Sequence, residues 1–248
     1  MPILTRNSKV LTAAGKVLIR EATPLDLPNL KMYLSARRTP TYSDGTAIDG
    51  WLDSSNNGNN ATQLSATFKP TYEVNEFGIN AGIKFDGVDD FMSIPPTILK
   101  NLSEYTVQIV FKRGVLGGVG NFLYISTSGG PSRLNCNMTT SSVNIALRMD
   151  DAGAVSTVST ISNDLLPHLL QVTVIASVAY FYLDGILRGT TILNASIISN
   201  TNSAPAQLGG SSGSFPNCFI EVISLNNSFS SPSTIQEQYG GYLYRGYL

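Results

Sequence analysis

The sequence predicts an all-β protein, a sandwich or barrel of short antiparallel strands. Three observations carry the prediction. Residues 105–112 alternate, with Tyr105, Val107, Ile109 and Phe111 on one face and Thr106, Gln108 and Lys112 on the other, the period of a half-buried strand. Between two apolar runs at 179–188 stands the pair Asp184-Gly185, which supplies the positive φ angles of a tight hairpin turn. A helical period is confined to one short segment near the C-terminus.

Taken in chain order, residues 1–27 read as an N-terminal arm and 28–248 as one domain. Within the arm, Lys9-Val10-Leu11-Thr12 and Lys16-Val17-Leu18-Ile19-Arg20 are strand-like, with Ala13-Ala14-Gly15 as the turn. Pro24 and Pro28 then interrupt regular structure. The arm is either an extra hairpin on the domain or an extension that pairs with another chain. From Leu30 onward, short strands are punctuated by turns. The polar run Ser54–Asn60 is a surface loop, and residues 169–176 alternate much as 105–112 do. Residues 219–225 are apolar on both faces, which places that strand centrally in a sheet. The late helix starts either with Ser231 as N-cap and Pro232 as first residue, or with Ser233 as cap and Gln236 completing a capping box. Gly240-Gly241 is expected to stop it.

Composition narrows the function. Of 248 residues, 42% are hydrophobic, enough for a sizeable core, and only 13% are charged. The charged share is about half the usual value, so Ser, Thr, Asn and Gly must cover the surface. Net charge is −1, with 16 Lys and Arg spread along the chain. That disfavours a nucleic-acid partner, which needs a basic face. With one histidine, His168, and two cysteines, Cys136 and Cys218, a His- or Cys-rich zinc site is excluded by count. The cysteines form one bridge or, as we expect, two reduced buried thiols. Residues 1–21 lack the apolar run of about 7–15 residues found in a secretory signal. No stretch approaches the roughly 20 apolar residues of a membrane helix. The expectation is a soluble protein made in a cytoplasm and not exported by the general route.

Five segments, in order, resemble concanavalin A-like, laminin G-like jelly rolls. Leu30–Ala36 with Asp44-Gly45, Trp51-Leu52-Asp53 and Pro70-Thr71-Tyr72 is similar to the family's opening strand and tryptophan loop. Ile83-Lys-Phe-Asp-Gly-Val-Asp-Asp-Phe-Met-Ser-Ile94 resembles its FDGxDDxLxI hairpin. The alternating strand at 105–112 follows. His168 through Asp184-Gly185 comes next, then Leu208-Gly209-Gly210 with Ile220-Glu221-Val222 and the closing helix. The likeness covers about residues 28–248. It implies a two-sheet antiparallel jelly-roll sandwich with a short C-terminal helix and an N-terminal arm. Two departures stand out. Ser35 occupies a position where the family commonly has Asp, which weakens any inherited polar or metal role there. Asn56 replaces the loop glycine, and Asn tolerates the left-handed conformation.

Each chemistry-bearing feature has a structural counterpart. A retaining glycosidase needs two carboxylates about 5–5.5 Å apart, and no Glu-x-Asp-x-Glu run supplies them on a strand. Glu221, the lone acid of its strand, reads as a structural residue. Asp86, Asp89 and Asp90 suggest calcium, but an Asp86-Gly87 turn capped by aspartates is the favoured account. His168 matches the family's structural histidine at a strand entrance. Trp51 stacks on a sugar or packs in the core, and packing is at least as well supported. Gly117-Gly118 and Gly209-Gly210 are not phosphate loops. The aromatic Tyr239–Tyr247 segment stacks on a ligand, buries against a partner subunit or, as the resemblance implies and we favour, packs on the domain.

The expected function is therefore non-enzymatic and uses no cofactor or metal. Laminin G-like modules bind glycans or proteins. Absence of an export signal together with low charge points to a virion structural protein on the exterior of a bacteriophage particle, a capsid decoration, head-fibre or tail-fibre component. Its partners would be other virion proteins, contacted through Arg6, Lys9, Val10, Leu11, Lys16, Val17, Leu18, Ile19 and Arg20. A homo-oligomer such as a trimer and a cell-surface glycan are also expected, with no nucleic acid and no membrane. The alternative is a bacterial carbohydrate-binding or adhesion module.

Overall fold

Short β-branched and aromatic runs, cut by Gly, Asn and Asp turns, pair into two antiparallel sheets that share one core. The computed structural model describes residues 9–13, 16–20, 29–39, 42–127, 130–147, 156–161, 164–193, 206–210 and 213–244. With strands numbered in chain order, the nine-stranded sheet runs β17 (Ile186–Ile192), β16 (Val178–Leu183), β15 (His168–Ile175), β10 (Tyr105–Arg113), β19 (Asn217–Asn226), β8 (Asn80–Asp86), β7 (Thr71–Phe77) and β4 (Thr46–Ala47). β3 (Leu30–Ser35) also pairs with β19. The eight-stranded sheet runs β14 (Ser156–Ile161), β13 (Ser142–Leu147), β12 (Gly130–Met138), β11 (Gly120–Thr127), β18 (Ala206–Leu208), β9 (Met92–Ile94), β6 (Ala61–Thr62) and β5 (Gly50–Trp51). All described pairings are antiparallel, so the chain is an all-β two-sheet sandwich.

The apolar faces meet in the middle. Tyr105, Val107, Ile109 and Phe111 of β10 join Leu170, Val172 and Val174 of β15 against Phe122, Leu134 and Cys136 of the other sheet. Phe111 stacks on Phe122 at 5.0 Å between centroids. The predicted hairpin is present, with Asp184 at φ 54° and Gly185 at φ 72°, the two positive angles of a primed turn that follows the strand twist. β19 is central, as its two apolar faces require. β10 pairs along one edge, and β8 and β3 share the other. Asn56 takes φ 67°, the left-handed conformation expected of it.

Two expectations need correction. The alternation in β10 was expected to leave Thr106 and Gln108 half in water, yet both are fully buried. Helix α1 (Pro232–Tyr244) covers Gln108, and the segment leading into it covers Thr106. Gln108 Nε2 donates to Gln238 Oε1, and Ser224 Oγ and Tyr242 Oη donate to Gln108 Oε1 at 3.1 and 3.3 Å. The Thr106 hydroxyl oxygen accepts the Ser230 amide at 3.0 Å. Polar alternation marks hydrogen-bonding need, which a covering helix meets as well as water does. The second correction is that Gly240-Gly241 does not end α1. Each glycine costs the helix about 1 kcal/mol, but Tyr242, 1% exposed, anchors the last turn in a second apolar cluster with Tyr33, Phe77, Val110, Leu169 and Val222. Of the two predicted starts, Ser231 is the cap. Its carbonyl accepts the Ile235 amide at 2.9 Å and its hydroxyl the Thr234 amide at 3.3 Å.

Lys9, Val10, Leu11, Lys16, Val17, Leu18, Ile19 and Arg20 lie on β1 (Lys9–Ala13) and β2 (Lys16–Arg20), paired Val10 to Ile19 and Leu11 to Leu18. Among the described residues this hairpin is a two-stranded sheet of its own. Arg6, the predicted Ala14-Gly15 turn, Pro24, Pro28 and the tail from Arg245 lie outside the described residues.

Candidate binding groove at the sandwich rim

At one end of the sandwich three loops enclose a groove of 540 Å³. Its walls come from the turn after β8, the β10–β11 connection and the segment leading into β19, with Asp86, Val88, Val115, Val119, Ser214 and Asn217 among the lining residues. Glycines let the walls approach. At Gly120, φ is +145° and an added methyl would sit 2.3 Å from the Pro216 nitrogen. Asn217 ties the walls together. Its Nδ2 donates to the Asp86 carbonyl at 3.0 Å, and its own carbonyl accepts the Gly114 amide at 2.9 Å. Beneath the groove, the fully buried Arg113 donates through Nη1 to the Gly118 carbonyl at 2.7 Å and through Nη2 to the Ser142 carbonyl at 2.8 Å. A buried guanidinium bonded to the Gly118 carbonyl of the loop and the Ser142 carbonyl of β13 fixes the β10–β11 wall against the eight-stranded sheet.

The groove lip sets exposed valines beside Asp86, whose turn carries two further aspartates. Val88 is 69% exposed and Val119 54%. Asp86, Asp89 and Asp90 bring carboxylate oxygens within 4.8 Å of one another. As the sequence suggested, they also build the turn. Asp86 Oδ1 accepts the Val88 amide at 2.8 Å and the Asp89 amide at 3.3 Å, and Asp90 Oδ2 accepts the Asp86 amide at 3.0 Å. Burial, with the charges of Asp86 and Asp89 added, pushes the Asp90 carboxyl up to about 6 against the pull of that amide. A hard cation wants six to eight oxygens. These three side chains could supply part of such a shell, with two oxygens already engaged by backbone amides.

The remaining candidates are structural. His168 Nδ1 contacts Asp184 Oδ2 at 2.8 Å and Nε2 contacts Asp164 Oδ1 at 2.9 Å, while Asp184 Oδ1 accepts the Leu169 amide at 2.9 Å. Burial lowers the imidazole pKa, but the bonds to and charges of Asp184 and Asp164 outweigh it and hold it above its ordinary value. The histidine thus clamps the start of β15 to the β16–β17 turn. Trp51 is fully buried in the main core, so it packs and does not face a sugar. Ser35 donates to Glu221 Oε1 at 3.0 Å in the interior. Asp53 holds the Ser54–Asn60 loop, accepting the Tyr33, Ser55 and Asn59 amides at 2.9 Å each. Cys136 and Cys218 are free thiols whose pKa values burial pushes up. Gly209 and Gly210 face the rings of Phe85 and Phe215, so close packing explains that pair. The groove joins three segments far apart in sequence, so no local pattern marks it. The available signal is the Gly-rich run from Gly114 to Gly120, of which the phosphate-loop reading concerns Gly117-Gly118 alone.

No protein-family model and no curated protein matches the sequence. Solved structures do match in fold. Trypanosoma rangeli sialidase, in complex with a difluorinated nononic acid, is 16% identical, with a TM-score of 0.62 over 86% of this chain and 32% of its own. The binding domain of Paraclostridial Mosquitocidal Protein 1 is 12% identical, with a TM-score of 0.65 over 89% of this chain and 53% of its own. The botulinum neurotoxin serotype G binding domain is 11% identical, with a TM-score of 0.63 over 86% and 51%. The chain thus spans about a third of the sialidase and half of each toxin domain. At these identities the likeness shows a shared β-sandwich fold.

Proposed function

We propose that the chain is a non-enzymatic binding module whose rim groove takes a glycan, displayed on the exterior of a bacteriophage particle as a capsid decoration, head-fibre or tail-fibre component. The observation that carries the binding reading is the groove itself, an open pocket of ligand size with valines beside carboxylates. An amino or N-acylated sugar suits that lip, the N–H of either on Asp86 and the acyl methyl of the latter on Val88 and Val119. The sandwich fold shared with a sialidase crystallised with sialic acid and with toxin binding domains supports the ligand class. The turn duties of Asp86 and Asp90 support binding over hydrolysis. The virion setting rests on a sequence poor in charge and on the β1–β2 hairpin, which among the described residues forms a sheet of its own. An isolated hairpin is marginal in water, so it gains stability by pairing with another chain.

Two arms test the reading. Full-length protein on an array of amino and N-acylated glycans is expected to bind, and Val88→Asp is expected to abolish binding. A chain starting at Pro28 is expected to lose the oligomer or particle attachment of the full-length chain. Identical monomers would favour the free carbohydrate-binding or adhesion module instead.

A further inference from the structure

Most edges of the two sheets are too short or already covered. β4 and β5 have two residues each. The free edge of β3 is closed by the 53–60 loop. Asp53 Oδ1 accepts the Tyr33 amide at 2.9 Å, and the Tyr33 carbonyl accepts the Ser54 amide at 2.8 Å. The side-chain amides of Asn57 and Asn59 donate to the Leu30 and Lys31 carbonyls at 2.7 Å each. β17 differs. It has seven residues, ends the nine-stranded sheet and, among the described residues, pairs with β16 alone. β14 approaches it without pairing. Ile192 is 82% exposed, and Ile186 and Leu187 are exposed too. The ladder fixes which backbone groups look outward. The Leu193 amide donates to the Ser177 carbonyl at 2.7 Å, so Leu193 turns toward β16. Alternate residues of an antiparallel strand do the same. Thr191 therefore turns toward β16, and Thr190 and Ile192 direct their N–H and C=O away from it. An apolar edge with outward backbone groups is a template for another strand.

We propose that β17 is the acceptor for the β1–β2 hairpin of a second copy of this chain, which adds to the nine-stranded sheet. The proposal rests on the reading of the arm as a docking segment and names the surface it docks on. The hairpin strands have five residues each, within the seven of β17. A hairpin needs a third strand to be stable in water; β17 supplies it, and the hairpin covers the exposed aliphatic edge. Position favours a partner over the chain's own arm. Register steps from Leu30, next to the arm, through Asn226, Thr106, Thr173 and Tyr180 to Thr190. These five gaps span about 24 Å, and the added strand lies one gap further, at about 29 Å. Arg20 is ten residues from Leu30, a reach of at most about 36 Å when fully extended. The direct path over the sheet is occupied. The Ser230 amide donates to the Thr106 and Thr173 hydroxyl oxygens at 3.0 Å each, and Phe229 packs on Tyr180 at 5.9 Å between centroids. A path around them leaves the chain's own arm no slack. At this height the arm joins one edge of the sheet and the acceptor is the opposite edge. That is a head-to-tail contact, which closes into a ring such as a trimer.

Sedimentation and amide hydrogen exchange of the full-length chain over a concentration series test it. Assembly is expected to slow exchange in residues 9–20 and 186–192 together. Thr190→Pro and, at the strand end, Ile192→Pro each remove one outward amide and leave the β16 ladder intact, as proline on an edge strand does. Each is expected to raise the concentration of half-assembly at least tenfold. Thr190→Ala keeps the amide and is expected to change it less than twofold. Emission from the buried Trp51 checks that each variant is folded, and the exchange pattern of the unmodified chain decides without them. Assembly indifferent to both folded proline variants, or protection of 9–20 without 186–192, would overturn the acceptor while leaving the arm its docking role. Protection of both segments in a monomer would show the chain's own arm on β17 and overturn the second copy. A monomer with neither segment protected would defeat the proposal together with the reading of the arm.

Discussion

Gly120→Ala probes the groove wall. A methyl group there would lie 2.3 Å from the Pro216 nitrogen and 2.4 Å from the Phe215 carbonyl carbon, both backbone atoms with no rotamer to escape into. Its φ of +145° is in addition open to glycine and strained for alanine. Holding a side chain at such an angle costs about 1–3 kcal/mol. Forcing a methyl into packed structure costs about 1–3 kcal/mol more. The expected loss is about 2–6 kcal/mol, a large part of a domain's stability of about 5–15 kcal/mol. Gly213→Ala is the internal control. It lies in the same groove at φ +79° with nothing within 4 Å of an added methyl, so only the backbone strain applies. Urea unfolding followed by Trp51 emission measures both. The reasoning fails if Gly120→Ala costs no more than Gly213→Ala.

Three further outcomes are expected. His168→Gln should destabilise by about 1.5–3 kcal/mol, the scale of a hydrogen bond to a charged group. Because the folded imidazole pKa is raised, the deficit is fullest below pH 6.5 and fades as pH rises through the folded value; a pH series of urea midpoints shows the trend or its absence. Asp90→Asn should be at least as stable as wild type at pH 7. Protonation of Asp90 favours the fold, an effect full below pH 3.8 and lost as pH rises through about 6, and Asn keeps an acceptor for the Asp86 amide. A wild-type melting temperature raised by millimolar calcium, with the rise lost in Asp90→Asn, would show instead that the aspartates hold an ion. Cys136 and Cys218, both fully buried, should resist a thiol reagent until the chain unfolds; stoichiometric labelling of native protein would contradict that.

Local chemistry was legible where one segment decides the outcome. Asp184-Gly185 dictates its own turn, Asn56 its own φ, and the doubly apolar 219–225 run needs neighbours on both sides. What the sequence hid depends on distant partners. Gln108 looks solvent-facing until Gln238 and Tyr242, some 130 residues later, close over it. The groove joins Val88, Val115 and Ser214, three loops that no local pattern connects. Trp51 illustrates the converse, since an aromatic beside a polar loop fits a ligand platform and a core anchor equally well until burial is known.

The central claim is a binding groove formed by the three rim loops. Its most direct test is an amide NMR titration of the full-length chain with a glycan identified on the amino and N-acylated array. The account predicts chemical-shift changes concentrated at residues 86–90, 114–119 and 213–217, with the glycan recovered intact. Cleavage of the glycan, or shifts that spare all three loops, would contradict it.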